Sequence, residues 1–255
     1  MDANSDPAGA DNRSSGAAGL RRKPLAAQLA QELISAILRD LYKPGELIPP
    51  EEALCNRFDV SRPVVREAVK TLAKVGMVRT RQGQGSVVLD QAHWYELAPE
   101  LLEARCETGT APEVIGEVLE LRALLETHAS GKAAQRATPE DIERLRLNLK
   151  AMQEAVHDRD EFIEHDLQFH ADLIRLGGNR LVVSLFELLE PMLRVARTIA
   201  FDHQAAPESF LQGVKEHEAI IRALERGSPE TLREAMTQHL SWIRSRMNSG
   251  DTVRE

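Results

Sequence analysis

Asp166 and His170 stand four residues apart in the stretch HDLQFHADL, residues 165–173. On a helix this spacing places both side chains on one face, where they can bind the same metal ion. An Asp-x-x-x-His pair alone is more often two polar surface neighbours than part of a metal site. Any further ligands must therefore come from elsewhere in the chain.

Two more histidines can be placed by counting from a turn. The turn GSPE is centred near Ser228, with His217 eleven residues before it and His239 eleven residues after it. In an antiparallel helix pair both lie at the same height, about 16 Å from the turn at a rise of about 1.5 Å per residue. Facing inward, they would complete a shell of three histidines and one carboxylate. This shell suits zinc, and also nickel, manganese or iron(II), with a coordination position left open.

A shell of this kind is compatible with more than one function. Water at the open position would make a metal-dependent hydrolase, although no HExxH motif or other paired general base stands beside the ligands. In a binding domain the open position would hold an effector. A third alternative is a metal-free pocket that the histidines only line.

The residues around the four candidate ligands have helical patterns. GGN at 177–179 is a strong helix stop, and Pro191 is expected to kink the helix that contains it. Residues 111–250 are therefore predicted to form an all-helical bundle, and residues 91–110 a linker with some helix. The predicted bundle helices cover about residues 112–135, 138–157, 161–176, 180–202, 207–226 and 230–247.

The N-terminal part of the chain has a different pattern. Residues 1–19 are small and polar and are expected to be a disordered tail. Three helices are predicted over residues 24–41, 51–58 and 61–75, followed by strands at 77–81 and 86–89 around QGQG. This order is the outline of a winged helix-turn-helix over residues 20–90. The predicted fold class is therefore mainly α, with a winged helix-turn-helix followed by an all-α bundle.

The third helix separates an apolar face from a basic one. Val65, Ala68, Val69, Leu72 and Val75 fall within about 120° of arc at 100° per residue. Opposite them lies a stripe of basic residues, and Ser61 is placed to cap the helix and to bond a phosphate. Such a stripe alone is most often solvated charge, but the hairpin and the tight turn favour DNA recognition. The stripe consists of Arg62, Arg66, Lys70 and Lys74.

The charge distribution also divides the chain into two different parts. Residues 20–90 carry an excess of basic residues, whereas residues 91–255 are strongly acidic, which indicates that only the first part meets a polyanion. The two cysteines, Cys55 and Cys106, have no motif spacing, as expected for a reducing cytoplasm. The chain contains no run of about 18 apolar residues, so no membrane-spanning helix is predicted.

The first module resembles the GntR family of bacterial transcription regulators. The resemblance is carried by P-x-E-x-x-L over Pro49–Leu54, by VSRPVVREAVKTLAKVGMV over 60–78 and by RQGQGSVV over 81–88. One departure is Glu52, where many members carry an arginine that contacts DNA, so altered base preference is expected. The resemblance implies DNA contacts from Ser61, Arg62 and Arg66 on the recognition helix and from Gln82 and Gly83 at the wing tip.

The helical part resembles the FCD effector domain of the FadR-like branch of that family. The matching residues are D-x-x-x-H at 166–170 with GGN after it, E-H-x-x-I at 216–220 and His-Leu at 239–240. The resemblance implies that Asp166, His170, His217 and His239 bind a divalent metal ion that helps to hold a carboxylate effector.

Arg122, in ELRALLE, matches a recurrent pocket arginine and is the candidate for binding the effector's carboxylate. The alternative is a surface ion pair with Glu126. Arg194 and Arg197 are weaker candidates. Trp94 lies in a segment similar to one found in members that respond to sugar acids, although it would equally pack the two domains together.

These observations predict a ligand-responsive transcription regulator, a repressor that binds a short palindromic operator as a homodimer. A small carboxylate such as a sugar acid would bind in the helical domain and change the spacing of the two DNA-binding modules.

Overall fold

The structure, a computed structural model, describes residues 23–81, 83–201 and 207–250. The predicted tail and the wing residue Gln82 lie outside these ranges. The described residues form ten α-helices and one two-stranded hairpin, which confirms the predicted fold class.

The N-terminal module contains the three predicted helices and the wing. Its helices are α1 Leu25–Leu38, α2 Glu51–Phe58 and α3 Arg62–Lys74, and its strands are β1 Val78–Arg81 and β2 Gly85–Val88. The strands pair antiparallel from Val78 opposite Val88 to Arg81 opposite Gly85. Asp59 turns the chain between α2 and α3 with a φ of 50°. The predicted apolar face of α3 packs inward, with Val65, Ala68 and Leu72 all buried.

The segment predicted as a linker contains helix α4, Pro99–Thr108. Neighbouring residues of α4 pack in opposite directions, Leu101 into the core of the first module and Leu102 into the core of the bundle. A helix buried on both sides has no single apolar stripe. This is the physical reason why the sequence pattern of the segment is weak.

Six helices form the bundle and match the predicted set to within a few residues. Polar side chains begin several of them: Thr138 and Asp141 form a capping box on α6, Asp158 caps α7 and Asn179 caps α8. The helix α8 continues through Pro191. The six helices are α5 Pro112–Ala133, α6 Pro139–Glu154, α7 Arg159–Leu176, α8 Arg180–Ala200, α9 Pro207–Glu225 and α10 Pro229–Gly250.

Helix α7 lies at the centre of the bundle, in contact with α5, α6 and α8. Helix α10 packs against α5, α8 and α9, so the polar residues of α7 face a space enclosed by helices that are distant in sequence. Within the described ranges, no helix is both long and apolar enough to cross a membrane.

Candidate metal centre

The four predicted ligands meet inside the bundle. Asp166 and His170 lie on α7, His217 lies on α9 and His239 lies on α10, and all four are fully buried. One ligand atom from each can be chosen so that all four atoms lie within 4.8 Å of one another. The counting argument from Ser228 therefore placed both histidines correctly, since their ring centroids are 4.4 Å apart.

The distances between these atoms fit a single ion. His170 Nε2 lies 3.1 Å from His239 Nε2 and 3.3 Å from His217 Nε2. Asp166 Oδ1 lies 3.3 Å from His217 Nε2 and 4.0 Å from His170 Nε2. Ligand atoms about 2.1 Å from a common ion are about 3.4 Å apart in a tetrahedral site and about 3.0 Å apart at adjacent octahedral positions. Three of the four observed distances lie in this range, and the distance from Asp166 Oδ1 to His170 Nε2, at 4.0 Å, is longer.

Hydrogen bonding fixes the tautomer of His217. Its Nδ1–H donates to the carbonyl oxygen of Gly213 at 2.7 Å, so in the neutral ring Nε2 carries a lone pair. This lone pair faces Asp166 Oδ1, a buried oxygen that has no hydrogen-bond donor among the described residues. Two acceptors at such a distance repel each other, and a cation between them removes the repulsion. The donor set therefore fits a metal ion.

Glu126 on α5 contacts the centre from outside. Its Oε2 lies 2.5 Å from His170 Nδ1, on the side of the ring away from the other ligands. The same carboxylate forms an ion pair with Arg122, one turn earlier on α5. Burial alone would raise the pKa of Glu126, but the charges of Arg122 and His170 lower it to about 2. A carboxylate on the far nitrogen of a ligating histidine orients the ring and increases its basicity.

The alternative expected for Arg122 is thus half correct. The i,i+4 pair with Glu126 is formed, but it is completely buried rather than exposed at the surface. The sequence spacing indicated the pair. It did not indicate the contact with His170, because that contact depends on how α5 packs on α7.

Arg197 on α8 is the second buried cation of the site. Its Nε donates to Asp166 Oδ2 at 2.5 Å, and its Nη2 lies 3.5 Å from His170 Nε2. Burial and the neighbouring charge of Arg122 both lower the pKa of Arg197. Arg194, the other candidate on α8, is instead partly exposed and pairs with Glu164 and Glu190 away from the centre.

The guanidinium groups of Arg122 and Arg197 both carry N–H groups that have no acceptor among the described residues. Nη1 and Nη2 of Arg122 and Nη1 of Arg197 are buried and lack a hydrogen-bond partner within the part of the chain that the structure describes. A buried donor without a partner costs about 1–3 kcal/mol. Beside Arg122, a small cavity of about 90 Å³ lies between α5 and α10, lined also by Thr127, Thr237 and Ser241. These unpaired donors are suited to an anion.

The candidate DNA face is exposed as predicted. Ser61 occupies the N-cap position of α3, and its hydroxyl makes no capping hydrogen bond within the described residues. Arg62 is exposed, and Arg66 is exposed while pairing with Glu51. At the wing tip Gly83 has a φ of 74°, which favours glycine, and no described residue lies within 4 Å of the Cβ that another residue would add.

A winged helix-turn-helix with an exposed basic helix, followed by a helical bundle with a buried polar centre, defines a DNA-binding transcription regulator. A model of "Bacterial regulatory proteins, gntR family" matches residues 25–88, and a model of the FCD domain matches residues 117–241. The chain belongs to the gntR family of bacterial regulatory proteins and carries an FCD domain, a kind of domain that often binds metal. The resemblance to the GntR family and to the FCD domain is thereby confirmed.

Individual proteins agree with this assignment. The HTH-type transcriptional repressor NanR of Cronobacter sakazakii is 29% identical over 238 residues, covering 93% of this chain and 91% of NanR. NanR of Enterobacter sp. (strain 638) is 30% identical over 230 residues, covering 88% and 87%. The solved structure of Lar, which controls the Listeria monocytogenes agr system, shares the fold with a TM-score of 0.57 at 19% identity, covering 90% and 99%. Because the NanR relatives are transcriptional repressors, the hydrolase alternative is set aside.

Proposed function

We propose that this protein is a repressor that binds a palindromic operator as a homodimer and releases it when a small carboxylate binds beside a divalent metal ion. Residues 20–90 form the DNA-binding module, residues 111–250 form the metal- and effector-binding domain, and residues 91–110 connect them. The role as a repressor is supported by the NanR relatives, which carry that description.

Asp166, His170, His217 and His239 would hold the metal, with zinc as the first candidate and nickel, manganese or iron(II) as alternatives. When bound, the ion supplies positive charge and an open coordination position for an oxygen of the effector. Glu126 keeps the ring of His170 turned so that Nε2 points toward the other ligands.

The observation that carries the effector proposal is that three buried Nη atoms, two on Arg122 and one on Arg197, have no hydrogen-bond partner among the described residues. Arg122 and Arg197 are balanced in charge by Glu126 and Asp166, so a dication makes the buried centre positive overall. An entering carboxylate neutralises part of this charge and accepts from the free Nη atoms of Arg122. A sugar acid offers both the carboxylate and hydroxyl oxygens for the metal, and it would also meet the hydroxyls that line the cavity beside Arg122.

DNA recognition is assigned to the exposed face of the first module. Arg62 and Arg66 would reach base edges and phosphates from α3, and the Ser61 hydroxyl, which makes no capping bond, would meet a phosphate. Gln82 and Gly83 would contact the operator from the wing tip. Glu52 is exposed where it would repel a phosphate, so we expect a base preference that differs from that of members with arginine there.

The decisive experiment titrates a panel of sugar acids, hydroxy acids and dicarboxylates against the protein–operator complex. Wild type, chelated protein and Arg122→Ala are compared, with metal content measured for each. Arg175→Ala is the control, since this arginine pairs at the surface with Asp172 and Glu187. We expect chelation and Arg122→Ala to abolish the response while operator binding persists.

Two outcomes would revise the proposal. If the chelated protein responds with an unchanged midpoint, metal and effector are not coupled. The metal content of the untreated protein then shows whether a bound ion only stabilises the helices or the histidines line a metal-free pocket. If Arg122→Ala responds like Arg175→Ala, the carboxylate is bound elsewhere. Sedimentation of the protein with and without operator tests the homodimer.

A further inference from the structure

The N-terminal module contains an ion pair between two helices at its DNA face. Arg66 on α3 donates from Nε to both carboxylate oxygens of Glu51, at 3.1 Å and 3.0 Å. Glu51 stands in the first turn of α2, where the helix dipole stabilises its negative charge. Arg66 remains exposed over 61% of its side chain, so the pair lies in contact with solvent.

The contact uses only one edge of the guanidinium group. Within the described part of the chain, the hydrogen bonds of Arg66 come from Nε alone, which leaves Nη1 and Nη2 free. A guanine presents two acceptors, O6 and N7, in the major groove, and an arginine reads them through two parallel N–H groups. An arginine that is already held at Nε can offer both Nη atoms to the base. Less conformational entropy is then lost when DNA binds, because the long side chain is ordered beforehand.

Stability does not explain this pair. An exposed ion pair contributes little to folding because solvent screens it. A carboxylate near the DNA face also weakens binding to phosphates on any sequence. Glu51 therefore has an unfavourable effect on general DNA affinity, which a gain in base discrimination through Arg66 would offset.

We infer that Glu51 is a positioning residue that orients Arg66 for reading a guanine of the operator. The inference rests on the proposed role of Arg66 in DNA binding. Glu51 itself need not touch DNA. It would convert a mobile basic side chain, which binds any phosphate, into one that distinguishes a single base pair.

Glu52 provides a matched control. It is the next residue on α2, it carries the same charge and it is exposed, but it does not pair with Arg66. Replacing either glutamate removes one negative charge from the same helix end. Only replacement of Glu51 releases Arg66.

The test uses the full-length protein and a duplex recovered with wild type from a random 20-base-pair library. Affinity is measured for this duplex, for each single base-pair substitution of it and for an unrelated duplex. The variants are Glu51→Ala, Glu52→Ala, Arg66→Ala and the double variant Glu51→Ala/Arg66→Ala. Their melting temperatures are compared, and Glu51→Gln, which preserves the side chain's length, replaces Glu51→Ala if the latter is unstable.

We expect Glu51→Ala to lose about ten-fold in discrimination at the base pair where Arg66→Ala also loses it. Its affinity for the unrelated duplex should rise, as it should for Glu52→Ala, which keeps wild-type discrimination at the base pair that Arg66→Ala affects. The double variant should discriminate no worse than Arg66→Ala, because Glu51 acts through Arg66. Glu51→Gln should give a smaller loss, since its amide oxygen still accepts from Nε.

Two results would distinguish an error in the DNA role of Arg66 from an error in the positioning role of Glu51. If Arg66→Ala discriminates like wild type, the DNA role of Arg66 is wrong and the inference falls with it. If Arg66→Ala loses discrimination but Glu51→Ala and Glu51→Gln behave like Glu52→Ala, the DNA role stands and the positioning role of Glu51 is refuted.

Discussion

Replacing Arg197 by methionine tests the electrostatics of the buried centre. Arg197 Nε and Asp166 Oδ2 are 2.5 Å apart, and neither side chain is more than 1% exposed. At an effective dielectric constant of about 20, the Coulomb attraction at this distance is about 7 kcal/mol. Desolvation offsets part of it, and breaking a buried pair by removing one partner costs about 3–5 kcal/mol.

We therefore expect Arg197→Met to lower the free energy of unfolding of the metal-free protein by about 3–5 kcal/mol, because it leaves the charge of Asp166 buried without its partner. The assay is urea unfolding at pH 7.5 in the presence of a chelator. Arg194→Met is the matched control on the same helix. Its guanidinium pairs at the surface with Glu164 and Glu190, so its loss should cost no more than about 1 kcal/mol.

The second half of the experiment adds metal. A dication beside Asp166 replaces the missing positive charge, and the repulsion from Arg197 Nη2, 3.5 Å from His170 Nε2, is gone. Zinc should then stabilise Arg197→Met more than wild type and bind it more tightly. Equal losses for both variants in chelator, or no greater stabilisation of Arg197→Met by metal, would refute the reasoning.

Three further predictions concern DNA binding, pH and the backbone. Arg62→Ala should weaken operator binding by about 1–3 kcal/mol in a gel shift with an unchanged circular dichroism spectrum; wild-type affinity would contradict its assignment to the DNA face. Burial lowers the pKa of His170 to about 4. The unfolded state, titrating near 6.5, therefore binds more protons between these values, and His170 alone should cost the metal-free protein about 2 kcal/mol from pH 7 to pH 5 in urea unfolding. Burial also lowers the pKa of His239 well below its usual range, so the total loss should be at least that large; equal free energies at both pH values would argue against buried neutral rings. Gly76→Ala should lower the melting temperature strongly, because its φ is 81° and a Cβ would lie 2.2 Å from the carbonyl oxygen of His93. Gly45→Ala should have the smaller effect, because Gly45 has a similar φ but no described residue lies within 4 Å of its added Cβ; the reverse order would show that the contact with His93 is not the cause.

Much of the fold could be predicted because its signals are local. Apolar periodicity, the caps at Thr138 and Asn179 and the glycine-rich turn of the wing each act within a few residues, and the observed helices follow them closely. The four candidate ligands were also predictable, partly by counting along two helices joined by a short turn. In such a hairpin, sequence distance from the turn determines height along both helices.

Other contacts depend on how the helices pack. Glu126 meets His170 because α5 lies against α7, and Arg197 meets Asp166 across 31 residues because α8 does so as well. The periodicity of a sequence does not reveal how one helix is rotated against another. For this reason the sequence suggested a surface pair for Arg122, whereas the pair is buried. The two-sided packing of α4 and the pairing of Arg66 with Glu51 have the same origin. The sequence determined which residues could bind a metal ion or carry charge, and on which helix face each of them lies. Tertiary packing decided which of these residues are buried and which charges form ion pairs with one another.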